Sequence, residues 1–271
     1  MNQRKSLKEL NLLDKFLFDE AMDDPENVKT MLDIILSQNT NLKHPPQTEK
    51  EQRTSTDNRQ IRLDVYAIDE DDVIYEVEAQ KENTHNLPKR SRLYQGIIDS
   101  KLLPPGVVDF NLLNEVLIVL IMPFDLFGYG LYRYTFQMKC EEVPELKLDD
   151  GATRIFLNTR GKHPELVSPE LIELLKYMEH STDEISEAYE SKRIQEMHRR
   201  VCQIKASEKA EVKYMQTWEE KILIKQEGER IGLERINRLN QKLIEQGRFD
   251  DLTKATSDSS YQEKLLKEFK I

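Results

Sequence analysis

The chain has 271 residues and a formal net charge of −10, with 38% hydrophobic and 33% charged residues. Its longest apolar block, residues 116–122, is far shorter than the run of about 20 residues that a helix needs to cross a bilayer, so we expect no membrane anchor. The basic N-terminus lacks the apolar stretch of a secretory signal. Cys140 and Cys202 are too few for a disulfide framework or a four-thiolate zinc site, and we expect reduced thiols in a cytoplasmic protein.

Opposite charges are concentrated in two adjacent segments. Residues 61–80 contain seven acidic residues and one basic residue, whereas residues 81–101 contain five basic and two acidic residues. The net negative charge argues against a protein that coats nucleic acid by bulk charge. A metal-dependent enzyme acting on phosphates would use the two segments, the first to hold a cation and the second a polyanion. Ordinary surface charge is the alternative interpretation.

Hydrophobic spacing predicts a mixed α/β region up to residue 168. Apolar residues at three- and four-residue intervals predict helix over 7–36, divided in two by Asp24-Pro25. The polar stretch 39–60 predicts a loop with an edge strand at its end. The further predicted elements are hairpin strands at 61–68 and 73–80 around an acidic turn, a helix at 87–103, a strand at 115–122 buried on both faces, and strands at 131–138 and 154–157.

From Ser168 onward, strand signals stop and helical sequence of mixed charge runs to Ile271, with breaks near 181–183 and Gly247. Between residues 208 and 245, eight basic residues balance eight acidic ones, which is typical of a solvated helix face. We therefore predict two parts. Residues 1–180 form an α/β domain with a mixed central sheet flanked by helices, and residues 181–271 form a charged helical extension.

Three polar residues on the two hairpin strands indicate a chemical site. Asp64 lies on the first strand, and Glu78 and Gln80 share one face of the second because side chains alternate along a strand. Two converging carboxylates are costly without a positive charge between them. A hard divalent cation suits oxygen ligands, and Mg²⁺ binds one or two carboxylates together with a substrate phosphate. A water on such an ion can attack phosphorus. A solvated acidic strand face is the alternative interpretation.

An ordered set of motifs extends this pattern along residues 10–180. The set comprises 14–18 (DKFLF), 62–65 (RLDV), 75–80 (YEVEAQ), 87–94 (LPKRSRLY), the strand 116–122, 124–128 (FDLFG), 133–136 (RYTF), 149–151 (DDG) and 156–159 (FLNT). With these motifs the chain resembles the PD-(D/E)XK nuclease superfamily. Within it, the chain is most similar to the recombination-promoting nuclease family, which is also described as a transposase family.

The resemblance implies a restriction-endonuclease-like core and a metal-dependent DNA endonuclease of low sequence specificity, linked to recombination or mobile elements. Its cofactor would be Mg²⁺, with Mn²⁺ as the alternative. Asp64 and Glu78 would be the metal ligands, with the backbone carbonyl of Ala79 as a third. Gln80 would complete the catalytic set.

Gln80 departs from the superfamily pattern, which has a lysine at this position. An amide can orient a water molecule but does not remove its proton. Either the metal alone activates the water or a lysine comes from elsewhere. Lys81 is expected to point to the other face, so Lys89 and Lys101 are the better candidates. Asp14 would be the extra acid that the superfamily often supplies from its first helix.

Arg90 and Tyr94 are four residues apart and so share one face of the predicted helix. They would contact the substrate, Arg90 at a phosphate and Tyr94 beside the site; the alternative is an interfacial arginine and a half-buried tyrosine. No feature indicates base readout. The expected partner is DNA, and double-strand cleavage favours a homodimer through the C-terminal helices. The alternative function is a catalytically weak or inactive nuclease-fold protein that acts through protein–protein interaction.

Overall fold

A computed structural model of the chain describes residues 5–52, 61–182 and 189–271. The fold is α/β, with a mixed six-stranded sheet flanked by helices and a helical C-terminal region. The chain divides into two compact units, Met1–Glu211 and Val212–Ile271. The predicted domain boundary at residue 180 stays a prediction, because compactness alone does not show which segments fold independently.

The sheet combines antiparallel and parallel pairs in the order β1-β2-β3-β4-β6-β5. The β3–β4 and β4–β6 pairs are parallel and the other three are antiparallel. The strands are β1 (Gln47–Gln52), β2 (Ile61–Ile68), β3 (Ile74–Ala79), β4 (Val116–Met122), β5 (Arg133–Phe136) and β6 (Ala152–Asn158).

Eight α-helices accompany the sheet in the described residues. They are α1 (Lys15–Met22), α2 (Pro25–Leu36), α3 (Leu87–Asp99), α4 (Pro169–Glu179), α5 (Lys192–Lys205), α6 (Glu208–Glu245), α7 (Phe249–Ser257) and α8 (Ser259–Glu268). The predicted break between the first two helices is confirmed. Asp24 accepts a hydrogen bond from the Glu26 N–H, and Pro25 occupies the first helical position.

The helix predicted from residue 7 was wrong for residues 10–14, which are not helical. Among residues 5–14, which the structure describes, a single 3₁₀ turn, Leu7–Glu9, precedes α1. The Asn11 side-chain amide donates to the Glu179 carbonyl at 2.5 Å, and the Leu12 N–H donates to the Ser181 hydroxyl at 3.1 Å. The Leu12 bond satisfies a backbone donor that a helix would otherwise satisfy, and the Asn11 bond satisfies a carbonyl at the end of α4, so the segment buries its leucines without being helical.

The predicted hairpin and the predicted buried strand are both confirmed. Strands β2 and β3 pair antiparallel, and Val65 opposite Val77 is the pair farthest from the turn. Strand β4 lies between two parallel neighbours and is buried except at Leu117. Its side chains pack with α3, which connects β3 to β4. A strand that is covered on both faces of a sheet is typically a continuous apolar run, as residues 116–122 are.

The C-terminal unit has a small apolar core of its own. Leu239 and Leu243 of α6 pack with Ala255 of α7 and Leu265 of α8. The predicted break at Gly247 is confirmed, and its φ of +67° is the left-handed conformation that glycine adopts without strain. Among the described residues no helix has both the length and the apolar character needed to cross a membrane.

Asp125 organises the loop between β4 and β5. Its carboxylate accepts hydrogen bonds from the backbone N–H groups of Phe127, Gly128 and Gly130 and from the Tyr134 hydroxyl. Burial raises the pKa of Asp125, but the hydrogen bonds from Tyr134 and the backbone lower it by more, so that it lies below its ordinary value. The loop therefore depends on the charged form of one side chain.

We predict that Asp125→Asn lowers the free energy of unfolding by about 2 kcal/mol at pH 7, because an amide replaces one acceptor oxygen with a donor. A group with a lowered folded-state pKa stabilises the fold above its unfolded pKa, so the deficit should shrink as the pH falls below 3.8, the ordinary aspartate value. Urea unfolding at pH 7 and pH 3 measures both effects. The exposed Asp71→Asn is the control, and an equal loss in both variants would contradict the prediction.

Candidate active site

The two predicted acidic ligands lie at the open end of the β2–β3 hairpin. Asp64 and Glu78 directly follow the last pair of the ladder, Val65 and Val77. Both carboxyl groups are buried, with 6% and 8% of the residue surface exposed. Glu76 lies two residues before Glu78 on the same face of β3 and is fully buried. The hairpin therefore concentrates three acidic side chains in its interior.

Two cations from different helices neutralise part of this charge. Lys15, the first residue of α1, places its Nζ 2.5 Å from an Asp64 oxygen and 3.2 Å from Asp19. Arg90, in the first turn of α3, donates to Glu78 Oε1 at 2.5 Å. Each predicted ligand is thus paired with one basic residue. Glu76, the third acid, has no hydrogen-bond partner for its carboxylate among the described residues.

The pKa shifts follow from burial and from the neighbouring charges. Burial raises the pKa of Glu78 to about 7; Arg90 opposes this rise and the Asp64 charge adds to it. Burial, followed by the charges of Glu78 and Asp64, holds the pKa of Glu76 well above its ordinary value. Glu76 and Glu78 are therefore harder to ionise than exposed carboxyl groups, because both are buried and lie close to other acids.

Several oxygens of the cluster have no hydrogen-bond partner in the described part of the chain. They are Glu78 Oε2 and both carboxylate oxygens of Glu76, all buried. Unsatisfied buried carboxylate oxygens are costly, and a cation or a bound proton relieves that cost.

The backbone carbonyl of Ala79 faces the same region. Ala79 lies opposite Ile121 of β4, and the Gln80 N–H donates to the Ile121 carbonyl at 2.8 Å. In a parallel pair this arrangement directs the carbonyl of Ala79 away from β4 and toward β2. No group of three or more His, Cys, Asp and Glu side chains placed to hold a metal ion occurs in the described ranges. Asp64, Glu78 and the Ala79 carbonyl are oxygen donors of the kind that Mg²⁺ binds together with water and phosphate.

The remaining predicted site residues surround Arg90. Gln80 accepts a hydrogen bond from Arg90 through its side-chain oxygen and donates from its amide to the Glu82 carbonyl at 2.5 Å. Tyr94 is buried, and its ring centre lies 5.9 Å from the Arg90 guanidinium. Burial and then the Glu78 charge raise the pKa of Tyr94 above its ordinary value. Gln80 and Glu78 together therefore fix the position of Arg90.

The lysines and the extra acid suggested by the sequence have the following surroundings. Lys81 and Asp14 form an ion pair with each other. Lys89 is exposed and lines a cavity of about 430 Å³ beside α3, together with Arg62 and Arg90. Lys101 follows the far end of α3, where its charge lowers the pKa of Lys50 in addition to the larger effect of burial.

Sequence reasoning missed two members of the cluster. The sequence pattern does indicate Glu76, because residues 76, 78 and 80 lie on one face of the strand. Lys15 lies within the motif at residues 14–18, but nothing in that motif indicated a contact with Asp64, which lies 49 residues later and is reached through the packing of α1 on the sheet. The lysine that contacts a predicted ligand is therefore on the first helix.

Comparison of the chain with protein-family models, with curated proteins and with solved structures finds no match. The functional interpretation therefore depends on the geometry of this cluster and on the motifs in the sequence.

We predict that Lys15→Met lowers the free energy of unfolding by about 1–2 kcal/mol at pH 7, between the values for exposed and buried ion pairs. The loss is expected because Asp64 and Asp19 would be left without their shared cation. Urea unfolding measures it, and the loss should be smaller in an Asp64→Asn background.

The matched control is Lys43→Met. Lys43 contacts Asp72 at the same distance, 2.5 Å, but both side chains are exposed, so a change below about 0.5 kcal/mol is expected. Equal losses for the two lysines would contradict a special role for Lys15.

Proposed function

We propose that the chain is a metal-dependent DNA endonuclease that hydrolyses phosphodiester bonds with low sequence specificity. The observation that carries the proposal is the buried cluster of Asp64, Glu76 and Glu78, in which three carboxyl groups lie beside only two paired basic residues in the described part of the chain, Lys15 and Arg90. A network of structural ion pairs does not require more acidic than basic side chains, whereas a site for a divalent cation does.

The arrangement of the sheet supports the proposal. Strands β1–β3 are antiparallel, and β4 pairs parallel with β3 after the connecting helix α3. In this mixed sheet the acidic pair lies at the end of the β2–β3 hairpin. We propose that this part is the restriction-endonuclease-like core implied by the motifs. Arg62, Lys89 and Arg90 beside α3 provide positive charge for a polyanionic backbone next to the acids.

In this proposal Asp64, Glu78 and the Ala79 carbonyl hold Mg²⁺ or Mn²⁺. The bound metal supplies an activated water and stabilises the charge that develops on the phosphate. Arg90 positions a phosphate oxygen. Its Nε–H is buried and has no acceptor in the described residues. Lys15 balances the Asp64 charge. Gln80 holds Arg90 rather than removing a proton, since an amide cannot act as a base.

One observation favours the second candidate function, an inactive nuclease fold that acts through protein–protein interaction. Both proposed ligands are already engaged in ion pairs, Asp64 with Lys15 and Glu78 with Arg90. A cation must compete with these pairs. If it cannot, the cluster serves only the stability of the fold.

We predict that the wild type nicks supercoiled plasmid DNA in Mg²⁺ or Mn²⁺, and that EDTA abolishes the activity. Asp64→Asn and Glu78→Gln should each lower the rate by at least about 100-fold, because loss of a metal ligand removes several kcal/mol of transition-state stabilisation. Both substitutions preserve side-chain size, and circular dichroism checks that each variant is folded.

The control variants are Asp71→Asn and Glu82→Gln, two exposed acids on either side of β3. They should cleave at the wild-type rate. Equal cleavage by all five proteins would remove the site assignment, and no cleavage with either metal would favour the second candidate.

A further inference from the structure

A second cluster of reactive groups lies on α4 and α5, outside the acidic site. Cys202 Sγ is 3.2 Å from Nε2 of His198, one turn earlier on α5. The other ring nitrogen, Nδ1, is 3.1 Å from the hydroxyl of Tyr177 on α4. Tyr177 is fully buried and His198 is 8% exposed, so the imidazole is held by the protein interior. A thiol, a base at hydrogen-bond distance and a group that orients the base form the arrangement of an activated nucleophile.

The thiol lines a cavity of about 310 Å³ with basic side chains in its wall. Lys8 and Lys205 line it beside Cys202, together with Ser181, Thr182 and Ala206. Lys205 donates to the Ser181 carbonyl at 2.8 Å, which holds its ammonium group at the cavity. No acidic side chain lines this cavity among the described residues. The ammonium group of Lys8 in the cavity wall would attract an anionic ligand.

We propose that Cys202 is a reactive thiol that forms mixed disulfides with small anionic disulfides, with His198 as its general base. With a proton on Nδ1 that is donated to Tyr177, Nε2 accepts the proton of the thiol. The thiolate attacks one sulfur of the incoming disulfide, so that a new S–S bond forms as the old one breaks. The leaving thiolate takes the proton from the imidazolium. Cys202 is oxidised, and half of the disulfide is reduced to a thiol.

The chain contains its own control thiol. Cys140, like Cys202, is partly exposed, but its Sγ contacts Glu142 Oε2 at 3.1 Å instead of an imidazole. A neighbouring carboxylate disfavours a thiolate, whereas an imidazole that can take the proton favours it. The two thiols therefore differ in the chemistry of their neighbours more than in their exposure.

The test uses two single-thiol variants of the full chain, Cys140→Ser and Cys202→Ser, treated with oxidised glutathione, and mass spectrometry follows the adduct. At pH 7 the variant that retains Cys202 should react about tenfold faster than the variant that retains Cys140. His198→Gln in the Cys140→Ser background should reduce the rate to that of Cys140. Circular dichroism identifies variants that fail to fold. If His198→Gln does not fold, the rates of the two single-thiol variants still test the proposal.

The preference for an anion is tested with Lys8→Gln and a neutral probe, bis(2-hydroxyethyl) disulfide. Lys8→Gln should slow the reaction with oxidised glutathione and leave the reaction with the neutral disulfide unchanged. Equal rates for Cys140 and Cys202, or an unchanged rate in folded His198→Gln, would overturn the proposal of an activated thiol. Equal effects of Lys8→Gln on both probes would overturn its anionic selectivity. None of these outcomes depends on nuclease activity.

Discussion

The burial of three carboxyl groups at one end of a hairpin is the constraint on which the surrounding architecture depends. Acids in a protein interior need partners, and here the partners come from separate elements: Lys15 from α1 and Arg90 from α3. The helices on the sheet therefore supply charge as well as apolar surface. Because Glu76 lacks a hydrogen-bond partner in the described residues, the compensation is incomplete, which distinguishes this cluster from a closed ion-pair network.

The sequence predicted those parts of the fold that depend on local patterns. Alternation placed Glu78 with Gln80. The uninterrupted apolar run at β4 predicted a strand buried on both faces, and the structure places this strand between two parallel neighbours. The helix predicted across residues 10–14 was wrong, because Asn11 and Leu12 form hydrogen bonds with residues nearly 170 positions later. Hydrophobic spacing shows that leucines are buried but not what satisfies their backbone.

The same distinction separates the predictable and unpredictable parts of the candidate site. Asp64, Glu78 and Arg90 lie in or beside one hairpin and the helix that follows it, so short-range reasoning could associate them. Lys15 reaches Asp64 from a separate helix, and charge alone did not distinguish it from other lysines. Gln80 looked like a substitute for a catalytic base, whereas its contacts show an amide that bridges Arg90 and a backbone carbonyl.

Ser181 links the thiol cavity to the helix that carries Lys15. Its hydroxyl accepts from the Leu12 N–H, its carbonyl accepts from Lys205, and it lines the cavity that contains Cys202. Two residues separate Leu12 from Lys15. One side chain therefore contributes both to the wall of the thiol cavity and to the anchor of the chain just before the helix whose first residue contacts Asp64.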